Sequence, residues 1–401
     1  MVYSKKRLEK VLCLDDFEQE ARRYLPGSMF AYIAGATETN FTRDDNRAVF
    51  SELGFVTRAL VDVSAVDTQA ALWDDTYASP FGIAPMGLSA FSAYRGDLVQ
   101  AQAAQAHNIP HIMSGSSLIR LEEVAKVGPN VWFQAYLPGK NDQIEALVAR
   151  IAAAGFQKLV VTVDFPVAAN RENNIRAGFS TPLRPSLKLF WDGVSHPRWT
   201  FGTFLRTLVK HGMPHFENNY ATRGVPVLSR NVMRDFSDRS HLNWEHLALI
   251  RRLWKGKLVV KGILNTQDAV RAVEHGVDGI IVSNHGGRQL DYTVSPLRVL
   301  PHIVRACPQV PVMFDSGVRR GTDVLKALAL GAKFVFVGRP MGFAAAVGGQ
   351  AGVERAIDLL HAEVKRNCAM LGITRPGHVN PRYLRAFSRT SFFTDWVPSG
   401  D

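Results

Sequence analysis

Two residues with acid–base and anion-binding chemistry stand close together in the segment GIIVSNHGGRQLD, where two glycines separate His285 from Arg288. An arginine fork matches a carboxylate through two parallel hydrogen bonds, and a histidine exchanges a proton near neutral pH. A carboxylate next to a carbon that bears a hydrogen would satisfy both side chains. The pair therefore indicates a 2-hydroxy or 2-amino acid substrate, with Asp164 able to orient the histidine. A purely structural histidine at a strand end is the alternative.

The segments FDSGVRRG and FVGRP combine glycines with arginines near the C-terminus. Bare backbone N–H groups, a helix N-terminus and the side chains of Arg319 and Arg339 suit a phosphate dianion. Gly–Arg pairs also occur in plain loops, but two of them after consecutive strands favour a phosphate site. The sequence therefore predicts that a phosphorylated cofactor or substrate binds here.

Lys261 follows the apolar run of VVKGI, which makes a surface lysine the weaker interpretation. A lysine in that position faces an electron-rich group of a cofactor or forms a Schiff base. An isomerase or a Schiff-base enzyme with the same phosphate site is therefore an alternative hypothesis. A non-enzymatic cofactor-binding or membrane-surface protein is another, but it would be expected to lack His285 or Arg288.

Eight short apolar runs alternate along the chain with segments of helical periodicity, several of which end in glycine, the residue that accepts a left-handed helix stop most readily. Buried strands that alternate with helices pair in parallel. The sequence therefore predicts an α/β fold, a (β/α)8 TIM barrel, with a doubly wound open sheet as the alternative. The predicted strands are FGIAPMG from Phe81, PHIMSGSS from Pro110, VWFQAY from Val131, KLVVTVDFP from Lys158, KLVVKGI from Lys257, GIIVSN from Gly279, VPVMFDSG from Val310 and FVFVGR from Phe334.

In a barrel of this kind, functional residues lie at the carboxyl ends of the strands. Each predicted strand ends in a polar or glycine-bearing tip, and the tips together predict one site. The tip residues are Pro85, Ser114, Gln134, Tyr136, Thr162, Asp164, Lys261, Ser283, Asn284, His285, Asp315 to Gly317, Gly338 and Arg339.

Two regions lie outside this repeat, within what we expect to be a single domain of residues 1–401. Residues 1–80 are predicted to form helices and a hairpin or cap at the bottom of the barrel, with Tyr32 on a short helix. Residues 179–240 form a long insertion after the fourth strand, far beyond an ordinary connection of about 2–6 residues. In its segment WTFGTFLRTLVK, Phe201, Phe204, Leu205 and Leu208 are predicted to share one helical face, a pattern typical of a membrane-surface segment.

Composition narrows the class of protein. The 401 residues carry a formal net charge of +11, with 46% hydrophobic and 21% charged residues, as in a folded globular chain. The N-terminus lacks the apolar core of a signal peptide, and Cys13, Cys307 and Cys368 show no metal or redox spacing. We therefore expect a cytoplasmic protein with no metal site and no nucleic-acid partner.

The motifs SNHGGRQLD, VVKGI, TVDFP, FQAY, DSGVRRGTDVLKALALGA and VFVGRP resemble the FMN-dependent family that oxidises (S)-2-hydroxy acids. SNHGGRQLD is the most specific of them, and DSGVRRG and VFVGRP strengthen the resemblance. That family includes glycolate oxidase, lactate oxidase and the bacterial membrane-associated lactate and mandelate dehydrogenases. The resemblance runs from Asp15 to Gly372, interrupted by the insertion. It implies oxidation of a lactate- or mandelate-like acid to the 2-oxo acid, with a histidine base and electrons passing to flavin N5.

The resemblance also implies a role for each matching residue. His285 would be the base, Asp164 its partner, and Tyr136 would contact the substrate near its hydroxyl. The substrate carboxylate would be held by Arg288, Arg171 and Tyr32, and Gly87 would border the substrate. FMN would be bound by Ala84, Pro85, Met86, Ser114, Gln134, Thr162, Lys261, Ser283, Asp315, Gly317, Arg319, Gly338 and Arg339, with Lys261 near flavin N1 and O2.

Some residues favour a subgroup within the family. Gly87, Ser116 and the sequence DSG resemble the bacterial membrane dehydrogenases and indicate an open substrate pocket. Those enzymes imply a quinone or another membrane acceptor, peripheral contact with the inner face of the cell membrane, and a homotetramer. The alternative is a soluble oxidase that uses oxygen and releases hydrogen peroxide.

Overall fold

The barrel is the central element of the structure, a computed structural model that describes residues 2–180, 183–228, 239–387, 393 and 395–396. Within these residues, eight parallel strands close in the order β10-β11-β4-β5-β6-β7-β8-β9. The predicted (β/α)8 barrel is confirmed. The strands are β1 Leu53–Phe55, β2 Ala70–Leu72, β3 Asp75–Tyr77, β4 Phe81–Ile83, β5 His111–Ser114, β6 Val131–Ala135, β7 Lys158–Thr162, β8 Lys257–Ile263, β9 Gly279–Val282, β10 Val312–Asp315, β11 Phe334–Val337 and β12 Leu384–Ala386.

The barrel strands are apolar on both faces because one face points into the barrel and the other toward the surrounding helices. All four residues of β9 are buried, and β9 pairs with β10 so that Ile281 lies opposite Met313. The inward-facing side chains form a cluster of their own, separate from the layer under the helices. It includes Ala84, Ile112, Trp132, Val160, Val259, Ile281, Met313, Phe334 and Phe336.

Helices surround the barrel and connect its strands. After strand β11, α17 contains a non-helical residue, Gly349, with φ +58°, so two helical stretches meet there. The helices are α1 Lys5–Leu8, α2 Leu14–Tyr24, α3 Gly27–Ala34, α4 Phe41–Ala48, α5 Ser89–Ser92, α6 Gly96–Ala106, α7 Leu121–Ala125, α8 Asn141–Ala153, α9 Glu172–Arg176, α10 Leu187–Ser195, α11 Pro197–Trp199, α12 Arg206–His211, α13 Trp244–Leu253, α14 Thr266–Glu274, α15 Pro296–Ala306, α16 Gly321–Ala329 and α17 Arg339–Leu371. Short 3₁₀ turns span Val49–Glu52, Pro376–His378 and Pro381–Tyr383.

The hairpin of β2 and β3 lies at the amino ends of the barrel strands. Its Leu72 and Tyr77 belong to the cluster inside the barrel. The indole Nε1 of Trp73 donates to the carbonyl of Asp278, which precedes β9, over 2.9 Å. Because this hairpin fills the bottom of the barrel with apolar side chains, access to the interior is left to the opposite end.

The insertion contains α10, α11, a π-helical turn at Thr200–Leu205 and α12; its residues 181–182 and 229–238 lie outside the described part of the chain. The predicted face of this segment is partly wrong. Phe204 turns inward, 5.7 Å from Trp199 and 5.8 Å from Phe91 between ring centroids, because the π-helical turn rotates the later residues. Phe201 and Leu205 of the predicted face are exposed, and so is Val209, whereas Leu208 is only partly exposed. Among the described residues, no helix is both long and apolar enough to cross a membrane.

Candidate active site

A cavity of about 550 Å³ opens at the carboxyl ends of the barrel strands. Helix α3 and the start of the insertion complete its wall through Tyr32, Phe179 and Arg184. The predicted site residues that line it are Tyr32, Ala84, Pro85, Met86, Gly87, Tyr136, Thr162, Arg171, Lys261, His285, Arg288, Asp315, Gly317, Arg319, Gly338 and Arg339. The remaining four, Ser114, Gln134, Asp164 and Ser283, lie behind this wall and contact residues of the site.

His285 stands between two polar partners. Its Nδ1 lies 2.9 Å from Oδ1 of Asp164, and its Nε2 lies 3.3 Å from the hydroxyl of Tyr136. Burial lowers the pKa of His285 and outweighs the opposing effect of Asp164, which leaves the imidazole neutral at pH 7. Burial alone would raise the pKa of Asp164, but the charge and hydrogen bond of His285 lower it. A neutral imidazole backed by a carboxylate can accept a proton and then be stabilised as a cation.

The turn that presents His285 depends on the two glycines that follow it. The backbone of His285 itself is left-handed, with φ +58°, and Gly286 and Gly287 follow with φ +65° and +75°. A Cβ on Gly287 would lie 2.6 Å from the backbone nitrogen of Arg43, and a Cβ on Gly286 would lie 2.7 Å from Nη1 of Arg339. The HGGR sequence is therefore required by close packing as well as by turn geometry.

Arg288 and Arg171 approach the cavity from neighbouring loops. Nη1 of Arg288 donates to the carbonyls of Tyr32 and Gly35, each at 2.7 Å, which fixes its guanidinium against α3. Arg171 donates from Nε to the carbonyl of Arg288 over 3.0 Å. Burial and the charge of Arg171 lower the pKa of Arg288 to about 10, so it remains a cation at neutral pH. Two partly buried cations side by side favour an anion such as a carboxylate.

Lys261, on strand β8, also lines the cavity. Its ammonium donates to Oγ of Ser283 over 2.8 Å and pairs with Oδ2 of Asp315 at 3.1 Å. Burial would lower the pKa of Lys261, but the carboxylates of Asp315 and Asp164 raise it. The lysine therefore stays charged inside the site.

One side of the cavity combines the buried Arg319 and the partly buried Arg339 with the N-termini of α16 and α17. Arg339, the first residue of α17, donates from Nε to the carbonyl of Ile33 over 3.0 Å. Burial, then the charges of Arg288 and Arg319, lower the pKa of Arg339 well below its usual range. Guanidiniums that repel one another in a buried wall are a binding site for a dianion.

Gln134, on strand β6, provides a test of whether a flavin fits. Among the described residues, its buried Nε2 donor has no hydrogen-bond partner, although its Oε1 accepts from Ser114 over 3.1 Å. A buried donor without a partner is costly, so a ligand carbonyl is a suitable partner for it. This donor, the cationic lysine and the phosphate arginines together fit the ring and phosphate of FMN.

Several contacts in the site involve residues to which the sequence assigns no role. Gln289 donates to the carbonyl of Asp164 over 2.9 Å and accepts from Nη2 of Arg171 over 2.6 Å, so it ties the two strand tips together. The guanidinium of Arg239, at the end of the insertion, lies 5.3 Å from the ring centroid of Tyr136. Gln289 lies inside the recognised motif, whereas no sequence pattern points to Arg239.

Comparison with known proteins identifies the family. A model of the FMN-dependent dehydrogenase family matches residues 21–386. The chain is 35% identical to (S)-mandelate dehydrogenase of Pseudomonas putida over 93% of each chain, and 37% identical to L-lactate oxidase of Lysinibacillus sphaericus over 90% of each. A crystal structure of the monotopic membrane protein (S)-mandelate dehydrogenase superposes with a TM-score of 0.84 at 34% identity, covering 94% of this chain and 100% of that one. The chain thus belongs to the family of FMN-dependent dehydrogenases.

Proposed function

We propose that this chain oxidises an (S)-2-hydroxy acid to the 2-oxo acid, with His285 as the base. One observation carries the proposal: His285 lies between Asp164 and Tyr136. The guanidiniums of Arg288 and Arg171 line the same cavity. This arrangement places a proton acceptor next to a carboxylate site within one cavity. The proposal treats residues 1–401 as one catalytic domain, with residues 1–80 covering the barrel bottom and 179–240 inserted.

Each polar group has one task in this scheme. Arg288 and Arg171 bind the substrate carboxylate as two cations, and the hydroxyl of Tyr32 donates to it from α3. Tyr136 holds the substrate hydroxyl near Nε2 of His285, which accepts a proton, while Asp164 stabilises the imidazolium. FMN, when bound, would accept at N5 the two electrons and the second hydrogen that the substrate loses. Lys261 provides a fixed positive charge for the electron-rich edge of the flavin ring.

The remaining cofactor contacts follow from the position of each residue. Five residues bind the phosphate and ribityl end of FMN, where the helix N-termini favour an anion. They are Arg319, Arg339, Gly317, Gly338 and Asp315. Another group binds the flavin ring and holds its binding residues in place; it comprises Ala84, Pro85, Met86, Ser114, Gln134, Thr162 and Ser283.

The substrate side chain is proposed to be lactate- or mandelate-like. Gly87 and Ser116 line the cavity next to Tyr32, and neither fills the space that a bulky side chain would take. The similarity to a mandelate dehydrogenase and a lactate oxidase supports the same range of acids. Phe179, stacked on Tyr32 at 4.6 Å between ring centroids, offers an apolar wall for an aromatic group.

A membrane acceptor is the proposed route of reoxidation, because the insertion carries an exposed apolar face. On α10, Leu187, Phe190, Trp191 and Val194 follow the spacing of a single helical face, and Phe190 and Trp191 are 61% and 64% exposed. Phe201 and Leu205 of the π-helical turn and Val209 of α12 are also exposed. We call these seven residues the insertion face.

The charges around the insertion face support an anionic surface as its partner. Exposed basic side chains accompany it, namely Arg184, Lys188, Arg198, Arg206 and Lys210. Asp192, the acidic residue of this segment, turns toward α3 instead. Apolar insertion combined with attraction of basic residues to anionic lipid is how interfacial helices bind. We propose peripheral attachment to the inner face of the cell membrane, a cytoplasmic barrel, and a quinone acceptor.

Vesicle sedimentation tests the attachment. The wild-type protein is expected to sediment with vesicles that contain phosphatidylglycerol and much less with pure phosphatidylcholine. The double variant Phe190→Ser/Trp191→Ser is expected to stay in the supernatant. The control Met370→Ser removes an equally exposed apolar side chain from the end of α17 and should still sediment. Wild-type protein that fails to bind the anionic vesicles would contradict the membrane proposal.

Anaerobic reduction of the bound flavin tests the reaction itself. Across a panel of 2-hydroxy acids, a lactate- or mandelate-like acid is expected to bleach the visible flavin absorbance. Absence of bleaching by every acid would contradict the proposed function. Fast reoxidation by a soluble quinone and slow reoxidation by oxygen support the dehydrogenase. Rapid reoxidation by oxygen with release of hydrogen peroxide supports the soluble oxidase, the second candidate.

Light scattering during gel filtration tests the expected homotetramer.

A further inference from the structure

Ser316 has a backbone conformation that serine rarely adopts. It follows the last residue of β10 with φ +88°, in the left-handed region that favours glycine, and Gly317 follows with φ +89°. A non-glycine residue held in this region near a site calls for a compensating interaction. The hydroxyl of Ser316, which a glycine in this position would lack, supplies that interaction.

The hydroxyl of Ser316 makes two hydrogen bonds within the site. It donates to Oδ1 of Asp315 over 2.9 Å and accepts from the backbone N–H of Gly286 over 3.1 Å. The first bond leads to Lys261, because the other oxygen of Asp315 lies 3.1 Å from its ammonium. The second reaches the peptide that follows His285. Ser316 thus links the lysine of β8 to the loop that carries the base.

A second serine completes the connection from the other side. Oγ of Ser283 accepts from the ammonium of Lys261 over 2.8 Å and from the backbone N–H of His285 over 3.1 Å. The bonds therefore form a closed path, which we call the serine ring: Ser283, Lys261, Asp315, Ser316, Gly286 and His285. The two amides that it fixes lie on either side of the α-carbon of His285.

We propose that Ser316 is a positioning residue that holds the base His285 in register with Lys261. This inference rests on the proposed function, in which His285 removes the proton and Lys261 serves the flavin. The left-handed backbone of His285 is held at both of its flanking amides, so the loop that carries the imidazole cannot shift without breaking a bond to a serine hydroxyl. Loss of the Ser316 hydroxyl releases the amide of Gly286 and lets this backbone move, which displaces the imidazole relative to Lys261.

Two variants separate the hydroxyl from the backbone strain. Ser316→Ala keeps the strained φ but lacks the hydroxyl, whereas Ser316→Gly lacks the hydroxyl and relieves the strain. We expect kcat to fall about ten- to a hundredfold in both, because small misplacements of catalytic groups have effects of this size. KM should remain within about twofold, since the carboxylate site is untouched. The kinetic isotope effect with the 2-deuterated acid should increase in both variants.

Stability provides the contrast that a merely structural role would not produce. Ser316→Gly should resist denaturant better than Ser316→Ala, yet both should lose the same share of kcat. Leu60→Gly is the control, because Leu60 also has a left-handed φ of +57° but is fully exposed in a loop before β2. It should relieve strain without changing kcat. A Ser316→Gly enzyme that keeps kcat within about twofold of wild type overturns the proposal.

Hydrogen exchange provides a readout that does not depend on turnover. In the FMN-loaded protein, the amide of Gly286 should exchange about tenfold faster or more in both Ser316 variants, but not in Leu60→Gly. Unchanged exchange at Gly286 also overturns the proposal. If no 2-hydroxy acid reduces the wild-type flavin, the proposed function fails, and the exchange of Gly286 then decides alone whether the serine ring fixes the loop.

Discussion

Oδ1 of Asp164 lies 2.9 Å from Nδ1 of His285, although the two residues are 121 positions apart in the chain. The bond orients the imidazole so that Nε2 faces Tyr136. Asp164→Asn preserves the shape of the side chain but removes the charge that stabilises the imidazolium. We expect kcat to fall by about 10²- to 10⁴-fold, with the bound flavin spectrum retained. Steady-state kinetics and the flavin absorbance check this; an asparagine variant with nearly full kcat would contradict it.

The pH dependence of kcat/KM should report His285. Its pKa lies below the ordinary 6.5, chiefly through burial and also through Lys261 and Arg171, against the opposing effect of Asp164. A base must be neutral to act, so activity should be level through pH 7 and fall only below pH 6.5. Lys261→Met removes a neighbouring positive charge and should move this acid limb to higher pH. A limb centred above 6.5 in the wild type would contradict the assignment.

Binding of the phosphate can be separated from binding of the flavin ring. Arg319→Met should weaken FMN binding to the apoprotein by about tenfold or more, because the phosphate of FMN would lose a buried cationic partner. Riboflavin, which lacks the phosphate, should bind both proteins equally. Arg320→Met is the matched control, since its guanidinium pairs with Glu363 at 2.9 Å on the outer side of the loop. Flavin fluorescence titration measures all six combinations of protein and flavin, and equal losses for FMN and riboflavin in Arg319→Met would exclude a phosphate role.

Local patterns predict the barrel and the tips of its strands because each strand is a short apolar run and each tip interrupts it. The pairing of Asp164 with His285 also follows, since parallel strands place their carboxyl ends together. The inward turn of Phe204 does not follow, because a π-helical turn changes the helical period. Contacts between residues far apart in the sequence, such as Arg239 with Tyr136 or Ser316 with Gly286, leave no pattern in the local sequence. Such residues become visible only once distant loops are brought together.

Gly87 lines the cavity between Ser116 and Tyr32. A Cβ at this position would lie 3.0 Å from Cβ of Ser116 and 3.1 Å from the hydroxyl of Tyr32. Gly87→Ala should therefore displace Tyr32 and lower kcat/KM for an aromatic 2-hydroxy acid by about tenfold or more, and less for a lactate-sized acid. Gly377→Ala, where a Cβ meets no atom within 4 Å, is the control. Equal losses for large and small acids would argue against a steric role.

Asp192 connects the insertion to α3, the helix that carries Tyr32 of the cavity wall. Helix α3 begins after Pro26 and has no cap of its own, but the carboxylate of Asp192 on α10 accepts from the backbone N–H groups of Gly27 at 2.7 Å and Ser28 at 2.9 Å. Asp192→Ala should lower the free energy of unfolding by about 1–2 kcal/mol through loss of this cap. KM should rise more than kcat falls, because α3 carries Tyr32. Asp44→Ala, which removes an exposed carboxylate paired with Arg43, should change neither quantity. Denaturant unfolding and steady-state kinetics measure both, and an Asp192→Ala protein with wild-type KM would show that the insertion does not position Tyr32.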